Sequence, residues 1–525
     1  MTAMLPRLPD RSGTGRISLR AFGGLERRAG AGPGALSAME NLCGADAPLL
    51  ATRPPRRSVR ALTKPHGLVS AAGRLFSAEG TKLFADGVEA GTVSDADKAF
   101  AALGARLLVF PDKLVWSAAD GLQPLEASYT ASGLVFSDGT YAGESAEANS
   151  LTTAGDAFPF RVGDAVTIPA CAPTGGAEKT AVVREVSADG KTLRFYEHTF
   201  DATGTVSDAL TLTRSVPDLD FLCVCDNRVW GCRGDTVRCC KLGDPYNWNV
   251  FDGLSTDAWS CETGTPGDFT GCVSFLGYPV FFKEDRVFKV YGSRPSNFEL
   301  TAGASLGVLP GAHGTLAAAG EALCYLSRAG FVRYGGGFPA PVGEALGDVR
   351  YTGGAAGGDG SRYTVSAQRA DGTRETLVYD TQTGLWHRED ALAAKALAFH
   401  DGALYAQTAD ALLCLRGGTA GTAEGSFTGS VTLADLGADQ FAGKYPRLLR
   451  VRMERAAPVT VEISYDGGPF GIAATLPAGD GTADALAVPI RRCGRFSLRL
   501  SGAAPWRLKA LDFELRSEAK PRKGG

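Results

Sequence analysis

Apolar and polar residues alternate with a period of two over most of this chain, and short turn sequences interrupt the alternation at intervals. The clearest stretch runs from Phe221 to Pro339. Phe221-Leu-Cys-Val-Cys225 is followed by the turn Asp226-Asn227 and by Arg228-Val-Trp230. Phe281-Phe-Lys283 leads through Glu284-Asp285 into Arg286-Val-Phe288, and Ala322-Leu-Cys-Tyr-Leu326 leads into Gly330-Phe-Val-Arg-Tyr334. A strand sends successive side chains to opposite faces, so these runs predict hairpins in series whose register is set by the turn residues. Similar pairs occur at Gly73–Phe76 with Thr81–Phe84, at Arg106–Phe110 with Lys113–Trp116, over Tyr363–Trp386, and from Leu397–Tyr405 into Leu412–Leu415. Most begin about 35 to 50 residues apart, the spacing of four-stranded blades. The predicted fold class is therefore all-β, a β-propeller of about seven blades over residues 63–117 and 216–418. Trp230, Phe281, Tyr325 and Tyr405 are expected on inner blade strands with their side chains buried.

The blade spacing is broken once, over residues 118–215. There Phe160–Ile168 and Lys191–Phe195 bracket Ala181–Val186, which predicts a small β-barrel inserted in a propeller loop. Loops accept such insertions because their ends lie close together and in solvent. A Gly/Thr-rich linker, Gly417–Gly425, closes the repeats. Alternating runs at Arg447–Glu454, Val459–Tyr465, Phe496–Leu500 and Leu508–Leu515 then predict a C-terminal β-sandwich over residues 426–517, followed by a basic tail, 518–525. Residues 1–62 are rich in Arg, Gly and Pro. With strand-like Ile17–Phe22 and few apolar side chains, they read as an extended N-terminal arm that orders against a surface, or as a loose terminus.

Composition narrows the function. The chain has 525 residues, a net charge of -3 and 21% charged residues, which excludes a generally basic nucleic-acid binder. No run of about 18 apolar residues occurs, so no membrane insertion is expected, and the N-terminus lacks the apolar core of a signal peptide. The 12 cysteines lie inside strand patterns, as in Leu222-Cys-Val-Cys225, and read as core thiols of a cytoplasmically folded chain. No Cys-x-x-Cys pair occurs, so neither a metal nor a cofactor is expected.

The remaining motifs nominate no catalyst. Asp-Gly pairs recur at Asp86, Asp120, Asp138, Asp189, Asp252, Asp371, Asp401 and Asp466, and read as hairpin turns rather than as glycosidase carboxylates. Gly353–Gly360 lacks the Lys-Ser/Thr of a phosphate loop and reads as a flexible loop. His387 reads as a surface turn residue. The basic cluster Arg53, Arg56, Arg57 and Arg60 suits either phosphate groups or acidic residues of a neighbouring subunit.

Several segments together resemble a known family. Asp226–Gly231, Lys241-Leu-Gly-Asp-Pro-Tyr-Asn-Trp-Asn249 and Tyr291–Phe298 are similar to tail structural proteins of phages and prophages. So are the opening, Phe22–Leu25, Ala38–Leu42 and Leu49–Arg57, and the closing Pro489–Cys493 with Phe496–Gly502. The nearest architecture is the propeller-type tail nozzle, or hub. The resemblance implies a non-enzymatic virion protein, made in the host bacterial cytoplasm. Its subunits would form a homo-oligomeric ring, a hexamer in that family, that extends and gates the DNA exit channel. Implied partners are other tail proteins, adaptor and fibre, with DNA passing through without specific binding. Ile17, Leu19, Phe22, Leu25, Arg53, Arg56 and Arg57 of the arm would then lie at the subunit interface. The alternative is a receptor- or glycan-binding propeller in which Trp248, Trp259 and Trp386 stack on sugars.

Overall fold

The structure is a computed structural model, described here for residues 14–139, 149–196, 198–438 and 443–517. The described residues form antiparallel β-sheets joined by turns, with four short 3-10 turns and no α-helix. The chain divides into two compact units, Lys64–Pro310 and Met1–Thr63 with Gly311–Gly525. The basic tail expected over 518–525 and the first residues of the arm lie outside the described residues.

Four four-stranded meanders make up most of Lys64–Pro310. Sheet I comprises Pro65–Ala71, Arg74–Glu79, Lys82–Ala85 and Val88–Thr92, and sheet II comprises Ala99–Leu103, Arg106–Phe110, Leu114–Ser117 and Gly121–Pro124. Sheet III comprises Phe221–Cys225, Arg228–Arg233, Thr236–Cys239 and Trp259–Glu262. Sheet IV comprises Gly271–Phe275, Tyr278–Lys283, Arg286–Tyr291 and Glu299–Ala304. The run Arg106-Leu-Leu-Val-Phe110 is apolar on both faces because both faces are covered. Leu107 and Val109 meet Phe76 and Trp116, while Leu108 and Phe110 meet Val229 and Trp248. Cys223, Trp230 and Cys232 face Phe281 and Phe288 in the next core. The first strands of sheets II, III and IV pack successively against one another. Tight turns carry the pairs that left-handed backbone favours: Asp86-Gly87 at φ 50° and 81°, and Asp226-Asn227 at φ 49° and 55°.

Between sheets II and III the chain forms an eight-stranded set, from Ala127–Ala131 to Leu210–Arg214. Its hydrogen-bonded path does not close into a barrel among the described residues. Lys179–Val186 pairs with Ala165–Ile168 through its first half and with Thr192–Phe195 through its second, with a bulge between Val183 and Glu185. That bend lets the two halves wrap a common core of Phe136, Phe160, Val166, Phe195, Phe200 and Leu212. The module is shorter than residues 118–215, because Gly121–Pro124 is the last strand of sheet II.

The other unit holds three more sheets. Sheet V comprises Ala317–Ala319, Ala322–Ser327, Gly330–Tyr334 and Ala340–Pro341. Sheet VI comprises Tyr351–Asp359, Arg362–Arg369, Arg374–Asp380 and Leu385–Arg388. Sheet VII begins with Ala396–His400, Ala403–Gln407 and Ala411–Arg416, and its next strand is Arg57–Ala61 from the N-terminal segment, with Thr422–Ala423 beyond it. The glycine run expected as a loop is instead the first strand of sheet VI. A side chain at Gly358 would overlap the Ala318 carbonyl of sheet V, and one at Gly357 would press on Leu397 of sheet VII. Glycine is required by this crowding. Trp230, Phe281 and Tyr325 are buried, while Tyr405 is only half-buried, and all four stand on the second strands of their sheets.

Two further sheets face each other, with Phe496 edge-on to Phe513 at a centroid distance of 5.0 Å. One contains Lys444–Arg455, Gly479–Ala487 and Trp506–Ser517, and the other contains Thr428–Leu433, Val459–Tyr465, Gly471–Leu476 and Phe496–Ala503. Neither is built from residues 426–517 alone. Thr14–Leu19 and Leu50–Thr52 pair with Trp506–Ser517, and Leu36–Glu40 pairs with Thr428–Leu433.

Candidate functional site

The N-terminal segment is the place where the sequence put its interface residues, and its described residues contribute strands to three sheets of their own unit. The surface it lies on is that of its own chain. Ile17 stands opposite Phe513 and Leu19 opposite Leu511, and Leu19, Phe22 and Leu25 are buried. Farther along, the segment follows the last strand of sheet VI. The Leu25 amide donates to the Trp386 carbonyl at 2.6 Å, the Asn41 amide donates to Glu389, and the Arg388 guanidinium donates to the Met39 carbonyl at 3.1 Å. Gly24 and Gly44 permit the approach, since a β-carbon would overlap the Trp386 carbonyl at one and the His387 ring at the other. His387, expected at the surface, is buried beneath this segment, and burial lowers its pKa to about 4, so the ring is neutral.

The arginines of the segment enter a network of carboxylates. Glu375 accepts from Arg27 at 2.6 and 3.2 Å, from the Tyr351 hydroxyl at 2.7 Å and from Arg369 at 2.6 Å, with Arg388 at 3.2 Å. Arg53 pairs with Glu424, donates to Asn41 at 2.9 Å, and lies 4.2 Å from the centre of the Phe427 ring. Arg56 reaches Glu389 at 2.9 Å and Asp390 at 3.1 Å, and Arg416 also reaches Glu389, at 3.1 Å. Arg57 donates to the carbonyls of Ala420 and Gly421. These arginines are therefore committed to acids and carbonyls of the same chain. Their partners Glu375, Glu389, Asp390 and Glu424 carry no motif or spacing that would have marked them in the sequence.

This network holds charge rather than moving protons. Burial pushes the Glu375 carboxyl up, but hydrogen bonds from Arg27 and Tyr351 and the charges of Arg27 and Arg369 outweigh it, leaving the group below its ordinary range. Asp390 follows the same logic, with burial opposed by Arg56, the Leu392 amide and Arg53. A general acid at neutral pH needs the opposite shift.

Two of the three tryptophans proposed as sugar platforms are buried, and the third is half-buried. Trp248 is buried and donates to the Pro245 carbonyl at 2.8 Å, and Trp386 is buried and donates to Val342 at 2.7 Å. Trp259 is half-buried and packs against Trp230 and Phe298. Aromatic platforms must present a ring face to solvent, and these rings face protein. All twelve cysteines are free thiols, and burial raises Cys239 and Cys240 to about 12. Among the described residues no group of His, Cys, Asp and Glu is arranged to hold a metal ion, and no helix is long and apolar enough to cross a membrane. An open cavity of about 400 Å³ beside sheet III is lined by Asp218, Arg233, Arg238 and Asn249. Its carboxylate is held by Lys113 at 3.0 Å and Arg233 at 2.8 Å.

No family model matches the chain, and no curated protein matches it. Among solved structures it is similar to one described as the structure of U3-55K, at 9% identity and a TM-score of 0.31, over 69% of this chain and 98% of that one. It is also similar to an exo-beta-1,3-galactanase from Phanerochaete chrysosporium with galactose, at 11% identity and a TM-score of 0.22, over 55% of this chain and 92% of that one. At such scores neither likeness carries an argument about fold or activity.

Proposed function

We propose that this protein is a structural component of a phage or prophage tail, one subunit of a ring at the tail tip that extends and gates the DNA exit channel. In this reading the seven sheets I to VII are the blades of a propeller, the eight-stranded set is a small barrel, and the two facing sheets are a β-sandwich. The propeller reading is supported by the successive packing of first strands within each unit and by the glycines that crowding imposes on Tyr351–Asp359. The strand Arg57–Ala61, added to sheet VII, covers an edge that would otherwise offer unpaired backbone to other chains.

The observation that carries the functional reading is the use made of buried charge. Glu375, Glu389, Asp390 and Glu424 are paired with arginines of the N-terminal segment, which favours a load-holding scaffold over a catalytic cleft. The burial of Trp248 and Trp386 speaks against the glycan-binding alternative. A net charge of -3 suits a channel through which DNA slides, because a strongly basic lumen would bind it by counterion release. Electron microscopy and sedimentation of the purified full-length protein test the reading. Closed rings are expected. A monomer at every concentration, or robust turnover of a glycoside, would refute it.

A further inference from the structure

The segment Lys241-Leu-Gly-Asp-Pro-Tyr-Asn-Trp-Asn249 lies within residues 240–258, the connection between Thr236–Cys239 and Trp259–Glu262 of sheet III. It forms a closely held turn. The Lys241 amide donates to the Asn247 carbonyl at 2.8 Å, and the Asp244 amide donates to the Lys241 carbonyl at 3.0 Å. The Asp244 carboxylate accepts from the Tyr246 amide at 3.1 Å and from the Asn247 side chain at 2.6 Å. Trp248 is buried and donates to the Pro245 carbonyl. Buried Asn247 ties the turn to the eight-stranded set, through the Ala165 amide at 2.8 Å and Asp164 at 3.2 Å. What this framework presents is one half-buried aromatic ring, that of Tyr246.

Three guanidinium groups from three separate segments of the same unit converge on that ring. Arg214, at the end of Leu210–Arg214, lies 5.1 Å from its centre, Arg161 lies 5.9 Å from it, and Arg106, which opens the second strand of sheet II, lies 6.0 Å from it. A ring has two faces, so at least two of the three cations lie over the same one. Arg214 is neutralised: it is buried, pairs with Asp164 and donates to the Leu125 carbonyl at 3.1 Å. Arg106 and Arg161 are exposed, and among the described residues neither guanidinium is paired with a carboxylate. Lys241 adds a further cation, since a β-carbon at Gly163, two residues from Arg161, would lie 3.8 Å from its Nζ. With Asp164 and Asp244 beside them, these are four cations against two carboxylates, in a chain whose overall charge is -3.

We propose that Arg106 and Arg161, held by the Tyr246 ring, form a binding site for a phosphate group, free or in a nucleic-acid backbone. Each guanidinium is a planar fork of N–H donors that matches two oxygens of an oxyanion. Two unpaired forks call for more acceptor oxygens than a single carboxylate has. Inorganic phosphate supplies them, and so do successive phosphates of a backbone. The ring itself is engaged by guanidinium groups, so a base or a sugar finds no stacking surface there and recognition stops at the phosphate. The cations are in place before the ligand arrives, which removes much of the cost of ordering long side chains. The site lies within Lys64–Pro310 and does not depend on the ring reading above.

The test uses full-length protein, with inorganic phosphate, acetate and a short labelled DNA duplex as probes at matched ionic strength. Calorimetric titration should show saturable binding of phosphate and none of acetate. Arg106→Gln with Arg161→Gln should weaken phosphate binding at least about tenfold, since two charge-assisted donor groups are removed. Both side chains are exposed, so the fold should be kept, which thermal melting checks. Arg106→Lys with Arg161→Lys keeps the charge but loses the forks, and should also bind phosphate more weakly than the native protein. Tyr246→Leu should weaken binding with both arginines intact, whereas Tyr246→Phe, which keeps the ring, should not. A duplex that loses affinity in the Gln protein, with its log–log salt slope reduced by about two, assigns the site to a nucleic-acid backbone. A duplex unaffected by the substitutions assigns it to free phosphate. Equal phosphate affinity in the native and Gln proteins, or equal binding of acetate and phosphate, would overturn the proposal.

Discussion

Replacing Glu375 by glutamine keeps the shape of the clamp and removes the charge that holds the N-terminal segment. In the native protein three guanidinium groups, Arg27, Arg369 and Arg388, converge on this carboxylate, whose side chain is 5% exposed, and the Tyr351 hydroxyl also donates to it. The substituted carboxamide would supply one acceptor and two N–H donors where only acceptors are wanted, leaving Arg27 and Arg369 without their carboxylate and Arg388 with only Glu40, at 3.9 Å. Breaking a buried pair by removing one partner costs about 3 to 5 kcal/mol. The arginines keep side-chain exposures of 18 to 27%, which places this site at the low end, about 3 kcal/mol. If the segment opens locally, that loss multiplies its opening equilibrium by roughly 150, at about 1.4 kcal/mol per decade. Amide hydrogen exchange reads this directly. The amides of Leu25 and Arg27, which donate to Trp386 and Ala345, should exchange roughly 150-fold faster in the Glu375→Gln protein. The amide of Leu108, in sheet II of the other unit, should be unchanged. The native protein also makes a prediction for pH. Because the folded-state pKa of Glu375 lies below its unfolded value, its contribution is fully present above about 4.3 and is lost as the pH falls through the folded value. Glu375→Gln should remove that acid-side component. Unaltered exchange at Leu25 and Arg27 would show that the carboxylate does not hold the segment, and the clamp reasoning would fail.

Further outcomes follow from the same structure. His387, lowered from 6.5 to about 4, favours the folded state fully above pH 6.5 and loses that contribution as the pH falls toward 4, about 3 kcal/mol in all. His387→Gln should flatten the stability profile of its unit across that window, measured by urea denaturation. Trp230→Ala should cost about 3 to 5 kcal/mol in the melting of Lys64–Pro310, because the ring packs on Phe281, Phe298 and Trp259. Excision of residues 127–214 with a short Gly/Ser join should leave sheets I to IV cooperative but loosen the 240–258 loop. Buried Asn247 would lose the Ala165 amide at 2.8 Å and the Asp164 carboxylate at 3.2 Å, and Trp248 fluorescence should report this. Deletion of residues 1–62 should abolish cooperative melting of the unit that contains Gly311–Gly525. It removes strands from three sheets there, and a retained transition would refute the account of the segment as structural.

What the sequence determined by itself was local. Alternation in Phe221–Cys225 and Arg228–Trp230, with the turn between them, marked a hairpin and its register. Asp86-Gly87, Asp401-Gly402 and Asp466-Gly467 turn with positive φ at both residues, as their chemistry allows at little cost. The broken spacing at 118–215 located a separate strand set, though the last strand of sheet II blurred its edge. Tertiary structure decided everything that depends on distant partners. The low apolar content of residues 1–62 says that they need a surface, and nothing local says whose. Their partners are far along the chain, Glu375 being 348 positions from Arg27 and Asp512 496 from Arg16. Gly353–Gly360 looks like a loop because glycine carries no pattern, and it is a strand because its neighbours leave no room for a β-carbon. Trp386 and His387 look like surface turn residues until the N-terminal segment covers them. Strand, face and turn are set by neighbours a few residues away, whereas burial and charge pairing are set by which chain segments meet in space.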